Sequence, residues 1–212
     1  MTFASKKLLV LILVSVTLAA SLSACGLLIV GGAVMVAIDR RTTGVQIDDQ
    51  NIELQAASSV NDRLGGRGHV NVVSYNRRVL LTGEVPTLQD KQRAEQVAAS
   101  LENVKWVVNE LAVQGNSTFS QRSNDSLVTG RVKASLLDTK DLNVNAFKVV
   151  TERGIVYLLG RVTQREADRA SDITRAASGV QKVVRVFEII SEEELRALSP
   201  PPAPAEAPKS SL

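Results

Sequence analysis

The heptapeptide VLLTGEV at residues 79–85 returns as VYLLGRV at residues 156–162, with the glycine and the final valine in matching places. Further along, NVKWV at residues 103–107 is matched by GVQKV at residues 179–183. Similarity that recurs at a fixed spacing indicates a duplicated structural unit. The chain is therefore predicted to contain two units, at residues 46–114 and 121–191, joined by a short polar linker at residues 115–120.

Each unit is predicted to contain, in order, a helix, two strands, a second helix and a third strand. In the second unit Val128, Val132 and Leu136 recur at the spacing of one helical face. Glu152-Arg153-Gly154 reads as a turn between two strands, as Asn76-Arg77 does in the first unit. The other predicted elements of the second unit are strands at 144–151 and 154–159, a helix at 164–178 and a strand at 183–190. The first unit has its second helix at 88–102 and its last strand at 105–113.

This order of elements predicts an α+β fold in each unit, with two helices packed on one face of a small three-stranded mixed sheet. Domains of fewer than about 75 residues bury a limited hydrophobic core and are only marginally stable alone. We therefore expect the two units to pack against each other.

The N-terminal residues have the features of a bacterial lipoprotein signal peptide. Two lysines at positions 6 and 7 precede an apolar run at residues 8–20, and Leu22-Ser23-Ala24 leads directly into Cys25. Residues 1–24 are predicted to be removed, and the thiol of Cys25 is predicted to be acylated. Several acyl chains on one cysteine would anchor the protein stably, because each buried CH₂ contributes about 0.8 kcal/mol.

An uncleaved membrane helix is the alternative interpretation of this region, because residues 26–38 are also apolar. The order of charged start, apolar run and small residues favours the lipoprotein, with residues 25–45 as its lipidated N-terminus and linker. Leu27 stands near the position where aspartate retains lipoproteins in the inner membrane, so the predicted location is the periplasmic side of the outer membrane.

The composition argues against several classes of function. With one cysteine and one histidine, the sequence offers no disulfide, no zinc site and no recognisable catalytic arrangement. The formal net charge of +3 and the 3% aromatic content do not suggest nucleic acid as a partner. We therefore predict a non-enzymatic protein that needs no cofactor or metal. Residues 192–212 are predicted to form a short helix and a Pro-rich disordered tail.

The two units resemble the BON domain family. The resemblance rests on the duplicated strand motif V-x-L-x-G-x-V at residues 79–85 and 156–162, and on the helix end that runs into V-x-x-V at residues 104–107 and 180–183. The lipobox, the two units, residues 43–49 and residues 123–125 together are similar to dual-BON outer-membrane lipoproteins. That resemblance implies binding of anionic phospholipid, a role in outer-membrane integrity and enrichment at division sites.

The resemblance also implies where the lipid is bound, namely at the first helix of the second unit. The family carries an exposed Trp there, and the matching residue in this chain is Leu127. Leu can insert among acyl chains, but it lacks the amphipathic ring that favours the membrane interface. The candidate phospholipid-binding residues are Ser126, Leu127, Gly130, Arg131 and Lys133.

Two alternatives stay open. Leu127 could instead pack against the other unit, or Arg131 and Lys133 could be ordinary solvated charges. The whole protein could instead be a periplasmic adaptor that binds an outer-membrane assembly or cell-wall-remodelling protein. Bases outnumber acids in the second unit and acids outnumber bases in the first, a distribution that would orient the protein over an anionic surface or that consists of scattered solubility charges.

Overall fold

The computed structural model describes residues 39–198, which lie within one compact unit, Ile38–Leu212. The first half contains helix α1 (Thr43–Leu64), strands β1 (His69–Tyr75) and β2 (Arg78–Val85), helix α2 (Leu88–Ala99), and strands β3 (Trp106–Asn109) and β4 (Ala112–Val113). The second half contains helix α3 (Phe119–Leu137), a 3₁₀ turn (Val144–Ala146), strands β5 (Phe147–Glu152) and β6 (Ile155–Val162), helix α4 (Gln164–Ala176), strand β7 (Lys182–Ile189) and the short helix α5 (Glu192–Leu198). The halves repeat one architecture and are called domain 1 and domain 2.

Each domain has a small mixed sheet with its second strand in the centre. In domain 1, β2 pairs antiparallel with β1 and parallel with β3 and β4. In domain 2, β6 pairs antiparallel with β5 and parallel with β7. Two helices cover one face of each sheet, which confirms the predicted α+β fold of two tandem repeats.

Threonine caps the N-terminus of all four long helices. The hydroxyls of Thr42 and Thr118 accept hydrogen bonds from backbone N–H groups at the starts of α1 and α3, and those of Thr87 and Thr163 do the same for α2 and α4. These caps explain why α1 and α3 begin at residues 43 and 119, earlier than the domain starts inferred from the sequence. The predicted linker at residues 115–120 therefore overlaps the first turn of α3.

A buried aspartate in the first helix of each domain holds the turn between the first two strands. Asp49 accepts hydrogen bonds from the backbone N–H groups of Asn76 (2.8 Å) and Arg77 (2.7 Å). Asp125 does the same for Arg153 and Gly154, both at 2.8 Å. All four turn residues have positive φ, so the carboxylates stabilise a conformation that ordinary side chains disfavour.

The repeated glycine lies inside its strand, so the prediction of a strand that stops at residue 159, just before Gly160, was wrong. Strand β6 continues to Val162, and a Cβ on Gly160 would lie only 2.4 Å from the carbonyl oxygen of Ala146. Gly83 is equivalent: it has a φ of +105°, and a Cβ there would lie 2.0 Å from the carbonyl oxygen of His69. Glycine permits this close approach of two backbones.

Other predicted elements also have different bounds in the structure: residues 144–146, predicted to begin a strand, form a 3₁₀ turn, and that strand begins at Phe147. Helix α2 ends at Ala99 and α4 at Ala176, both earlier than predicted. The predicted strand at residues 105–113 is divided into β3 and β4, because Asn109 accepts a hydrogen bond from the N–H of Leu111, whose side chain is buried in the core.

Each sheet buries both faces. One face packs on the helices of its own domain, in a core around Val79 and Leu81 in domain 1 and around Val156 and Leu158 in domain 2. The opposite faces of the two sheets pack against each other in a third apolar cluster, formed by Tyr75, Leu80, Tyr157, Leu159 and Val186. The expectation that the domains dock is met, and the arrangement is helices, sheet, sheet, helices.

Polar contacts surround this interface between the sheets. The guanidinium of Arg153 lies 3.0 Å from the carboxylate of Glu84, which is fully buried, and Lys148 pairs with Glu53. Just before α1, the buried Arg40 donates two hydrogen bonds of 2.7 Å to the carboxylate of Glu166 in domain 2. The next residue, Arg41, lies over the ring of Tyr75 in domain 1. Residues 40 and 41 are thereby bound to both domains.

Candidate lipid-binding site

The candidate residues lie on α3, a 19-residue helix about 28 Å long. Its inner face is fixed by Val128, Val132 and Leu136, all fully buried in the core of domain 2. Asp125, on the same side, anchors the helix to the turn between β5 and β6. With these four positions held, the opposite face of α3 is directed away from the protein.

All five predicted site residues, Ser126, Leu127, Gly130, Arg131 and Lys133, are exposed. Leu127 is 60% exposed, so the alternative in which it packs against the other domain is wrong. Arg131 lies one turn beyond Leu127 and donates a hydrogen bond of 3.4 Å to the carbonyl oxygen of Ser178. By helical periodicity, Lys133 lies on the opposite flank of the exposed face. The two cations therefore border the face from both sides rather than forming one cluster.

Two further apolar residues lie on this face. Phe119 is 79% exposed and Leu137 is 68% exposed. They are 18 residues apart, which is five helical turns, so both lie in line along the exposed face. Phe119 was missed because residues 115–120 were assigned to a linker, and Leu137 because the predicted site was confined to residues 126–133.

We call Phe119, Leu127 and Leu137 the α3 apolar stripe. Between its members stand mainly small side chains, including Ser123, Ser126, Gly130 and Ala134. Exposed large apolar side chains that share one face are a feature of surfaces that contact a membrane or another protein. Arg131 and Lys133 form no ion pair with any of residues 39–198, so both charges are available to an anionic surface.

The equivalent helix of domain 1 provides an internal comparison. Helix α1 also exposes apolar side chains, Ile47 at 54% and Leu54 at 67%. The positions equivalent to Leu127 and Leu137 hold Asn51 and Asn61, and those equivalent to Arg131 and Lys133 hold the uncharged Gln55 and Ala57. At an anionic surface each nearby Lys or Arg contributes about 1 kcal/mol of attraction, whereas an acid is repelled. The charge pattern therefore favours α3 over α1 as the membrane contact.

The predictions for the lipid anchor and for the C-terminal tail concern residues that the structure does not describe. Cys25, the signal peptide and residues 199–212 lie outside the described residues. Across residues 39–198, no helix is both long enough and apolar enough to cross a membrane. In that same part of the chain, no three His, Cys, Asp or Glu side chains are grouped so that they could hold a metal ion.

Comparison with known proteins identifies the repeat. The BON domain profile matches residues 48–115 and 124–191. The outer membrane lipoprotein DolP of Haemophilus influenzae is 41% identical over 174 residues, which cover 80% of this chain and 90% of that protein. The 21 kDa hemolysin of Actinobacillus pleuropneumoniae is 34% identical over 72% of this chain and 80% of its own length. The osmotically-inducible protein Y of Escherichia coli is 32% identical over 54% of this chain and 58% of its own length.

Both profile matches coincide with the two sheets and their helices, and together they cover more than half of the chain. The repeat found in the sequence, the duplicated fold and the relatives lead to the same assignment. The chain belongs to the BON domain family and carries two copies of the domain.

Proposed function

We propose that this protein is an outer-membrane lipoprotein that faces the periplasm, is anchored through Cys25 and binds anionic phospholipid through domain 2. The observation that carries the proposal is the α3 apolar stripe, bordered by Arg131 and Lys133. The relative named outer membrane lipoprotein DolP, which matches 80% of this chain, supports the location. The N-terminal lipobox at residues 22–25 supports the anchor.

Two contributions to binding are separable on α3. Insertion of the stripe removes apolar side chains from water, at about 25 cal/mol per Å² of area transferred. Attraction of Arg131 and Lys133 to lipid phosphates adds a term that salt screens over about 10 Å at 0.1 M. A surface that uses both prefers anionic membranes and weakens as the ionic strength rises.

By this account the lipid contact has a structural role in the envelope and catalyses no reaction. A lipid-bound domain 2 and an acylated Cys25 would hold the protein to the membrane at two points, which raises the effective concentration of each contact. We further propose that this attachment supports outer-membrane integrity and that the protein is enriched at division sites, where the membrane is remodelled.

Co-sedimentation with vesicles tests the lipid preference. Residues 38–212, which contain all three apolar clusters but lack Cys25, are mixed with vesicles of phosphatidylcholine alone or with added phosphatidylglycerol. We expect association only with the anionic vesicles. This association should be weaker at 0.3 M than at 0.05 M salt, because salt screens the attraction of the two cations to the lipid phosphates. Absence of binding to both vesicles would contradict the proposal.

The adaptor hypothesis predicts a different result in the same assay. If the exposed face of α3 binds an envelope protein, a charged substitution in the stripe leaves vesicle behaviour unchanged and removes a co-purifying protein instead.

A further inference from the structure

A small polar cleft lies where domain 1 meets α3 and β5 of domain 2. Its volume is about 190 Å³, enough for several water molecules or a small polar group. We call it the junction cleft. Its lining includes His69, Asn71, Arg122, Ser126, Thr151 and Glu152.

Glu152 supplies a buried carboxylate to this cleft. The residue is 5% exposed, and its carboxylate accepts one hydrogen bond of 2.6 Å from the neutral side-chain amide of Asn71. Burial raises the pKa of Glu152, and the nearby carboxylates of Glu84 and Asp125 raise it further. A buried negative charge whose only hydrogen-bond donor is neutral is costly, because no paired cation compensates for the hydration that the carboxylate has lost.

The other buried carboxylates in residues 39–198 are compensated. Glu84 pairs with Arg153 and also accepts the N–H of Ser117. Arginines likewise pair with Asp49, Asp90 and Glu166, and Asp125 accepts two backbone N–H groups. Glu152 alone among them has neither a cation nor a backbone donor within hydrogen-bond distance.

Unpartnered polar atoms are concentrated around the same place. Within residues 39–198, five buried side-chain nitrogen or oxygen atoms have no hydrogen-bond partner, and Nε2 of His69, Oγ1 of Thr82 and Oγ of Ser117 are three of them. His69 lies opposite Glu84 and Asn71 lies opposite Thr82 in the β1–β2 pairing, while Ser117 contacts Glu84. Buried polar groups are rarely left unsatisfied in folded proteins, so a cluster of them indicates that water or a ligand completes the site.

A cation stands in the lining of the cleft. Arg122 lies one turn before Ser126 on α3, and its guanidinium forms no hydrogen bond or ion pair within residues 39–198. It is near enough to Glu152 to lower the pKa of that carboxylate, although burial and the two acids outweigh it. The cleft therefore presents the buried carboxylate of Glu152, an unpartnered imidazole nitrogen and an available guanidinium, and the carboxylate of Asp125 in its lining already accepts two backbone N–H groups.

We propose that the junction cleft binds a zwitterionic phosphoethanolamine group, with its ammonium on Glu152 and its phosphate on Arg122. The primary ammonium supplies three N–H donors, of which Glu152 and an unprotonated Nε2 of His69 can each accept one. A guanidinium is well suited to the phosphate oxygens. This group occurs free and as the head of an aminophospholipid, and the chemistry of the cleft is the same for both.

This site is separate from the α3 apolar stripe and extends beyond the proposed function. It lies on the flank of α3. The cleft selects a ligand that carries an ammonium group, whereas the stripe and its cations select a membrane with a net negative charge. Anionic vesicles that contain no ethanolamine lipid should still bind the stripe, because that contact does not require an occupied cleft. Failure of either proposal therefore leaves the other standing.

The single histidine of the chain makes the cleft directly observable by NMR, because every imidazole signal belongs to His69. The ring signals of residues 38–212 are followed during addition of O-phosphoethanolamine and, separately, of phosphocholine. Phosphocholine has the same phosphate and charge but no N–H donor. We expect saturable shifts with O-phosphoethanolamine and at least about tenfold weaker binding of phosphocholine, the loss of one charge-assisted hydrogen bond. Equal shifts with both compounds, or no shift with either, would overturn the proposal.

Two variants locate the group within the cleft. Glu152→Gln keeps the size of the side chain and removes its charge, and we expect it to weaken O-phosphoethanolamine binding by about tenfold or more. Glu192→Gln, at the exposed start of α5, is the matched control and should bind as the parent does. If Glu152→Gln does not fold, Arg122→Gln tests the phosphate end on a partly exposed position. Unchanged binding in the folded variant contradicts the assignment.

A short-chain lipid distinguishes the two sources of the ligand. Dihexanoyl phosphatidylethanolamine, below its micelle concentration, should bind more tightly than free O-phosphoethanolamine if the natural ligand is a lipid head. Equal affinities would assign the cleft to a soluble phosphoethanolamine compound. Both results support a site for this group, whereas failure of both ligands to shift the His69 signals contradicts it.

Discussion

Replacement of Asp49 by alanine is expected to lower the free energy of unfolding by about 3–5 kcal/mol. The carboxylate is 2% exposed and accepts hydrogen bonds from two backbone N–H groups of the β1–β2 turn and from the hydroxyl of Ser74 (2.6 Å). It also pairs with Arg41 at 2.7 Å. Alanine leaves these donors unsatisfied in a buried place, and the positive-φ turn loses its anchor. Urea unfolding followed by circular dichroism measures the change.

Asp125→Ala should have a similar but smaller effect, because the equivalent carboxylate accepts two N–H groups and no arginine. Asp62→Ala is the control on α1: its side chain is exposed, and the change should be within about 0.5 kcal/mol. A loss of less than about 1 kcal/mol in Asp49→Ala would show that the turn is stable without the aspartate.

Replacement of Leu127 by glutamate is expected to remove vesicle association almost completely. The substitution deletes an inserted apolar side chain worth about 2 kcal/mol and adds an anion to a contact with an anionic surface, at a cost of about 1 kcal/mol. The sum corresponds to a loss of about a hundredfold in affinity. Co-sedimentation with phosphatidylglycerol vesicles measures it. Because Leu127 is 60% exposed, the folded state should be as stable as the parent.

Leu54→Glu is the matched control for this experiment. Leu54 is a similarly exposed leucine (67%) on the outward face of α1, the equivalent helix of domain 1. The account predicts normal binding for Leu54→Glu and lost binding for Leu127→Glu. Equal losses in the two variants would mean that membrane contact is not specific to domain 2.

Local pattern predicted most of the fold because each repeat is built from short-range signals. Each of the turns at residues 76–77 and 153–154 contains one residue that tolerates positive φ, Asn76 or Gly154, between apolar strands. Helices α2 and α4 follow from their apolar spacing, and their threonine caps are also visible in the sequence. Gly160 misled because a glycine in a strand can end it or permit a close approach, and only the neighbouring Ala146 shows which.

The packing of one sheet on the other is indicated in the sequence by a pattern that the predicted fold did not take into account. The central strands contain continuous apolar runs, Val79-Leu80-Leu81 and Val156 to Leu159, where a sheet with one solvated face would alternate. Such runs indicate burial on both faces. The ion pairs around this interface could not be predicted, because Lys148–Glu53 and Arg153–Glu84 join residues 95 and 69 positions apart.

For the candidate site, the helix was identified but its exposed face was only partly described. Leu127 came from family resemblance and helical spacing together, whereas Phe119 depended on knowing that the cap at Thr118 begins the helix. The junction cleft was beyond sequence reasoning altogether. Asn71 and Glu152 belong to different domains, and neither residue type in isolation indicates a ligand.

The central claim is that the exposed face of α3 contacts the lipid. The most direct measurement is paramagnetic broadening of NMR signals in residues 38–212, bound to anionic nanodiscs that carry a spin-labelled lipid. The account predicts broadening confined to Phe119, Leu127, Leu137 and their neighbours on α3, with Leu54 and Trp106 unaffected. Broadening centred on α1, or none on α3 in the bound state, would contradict it.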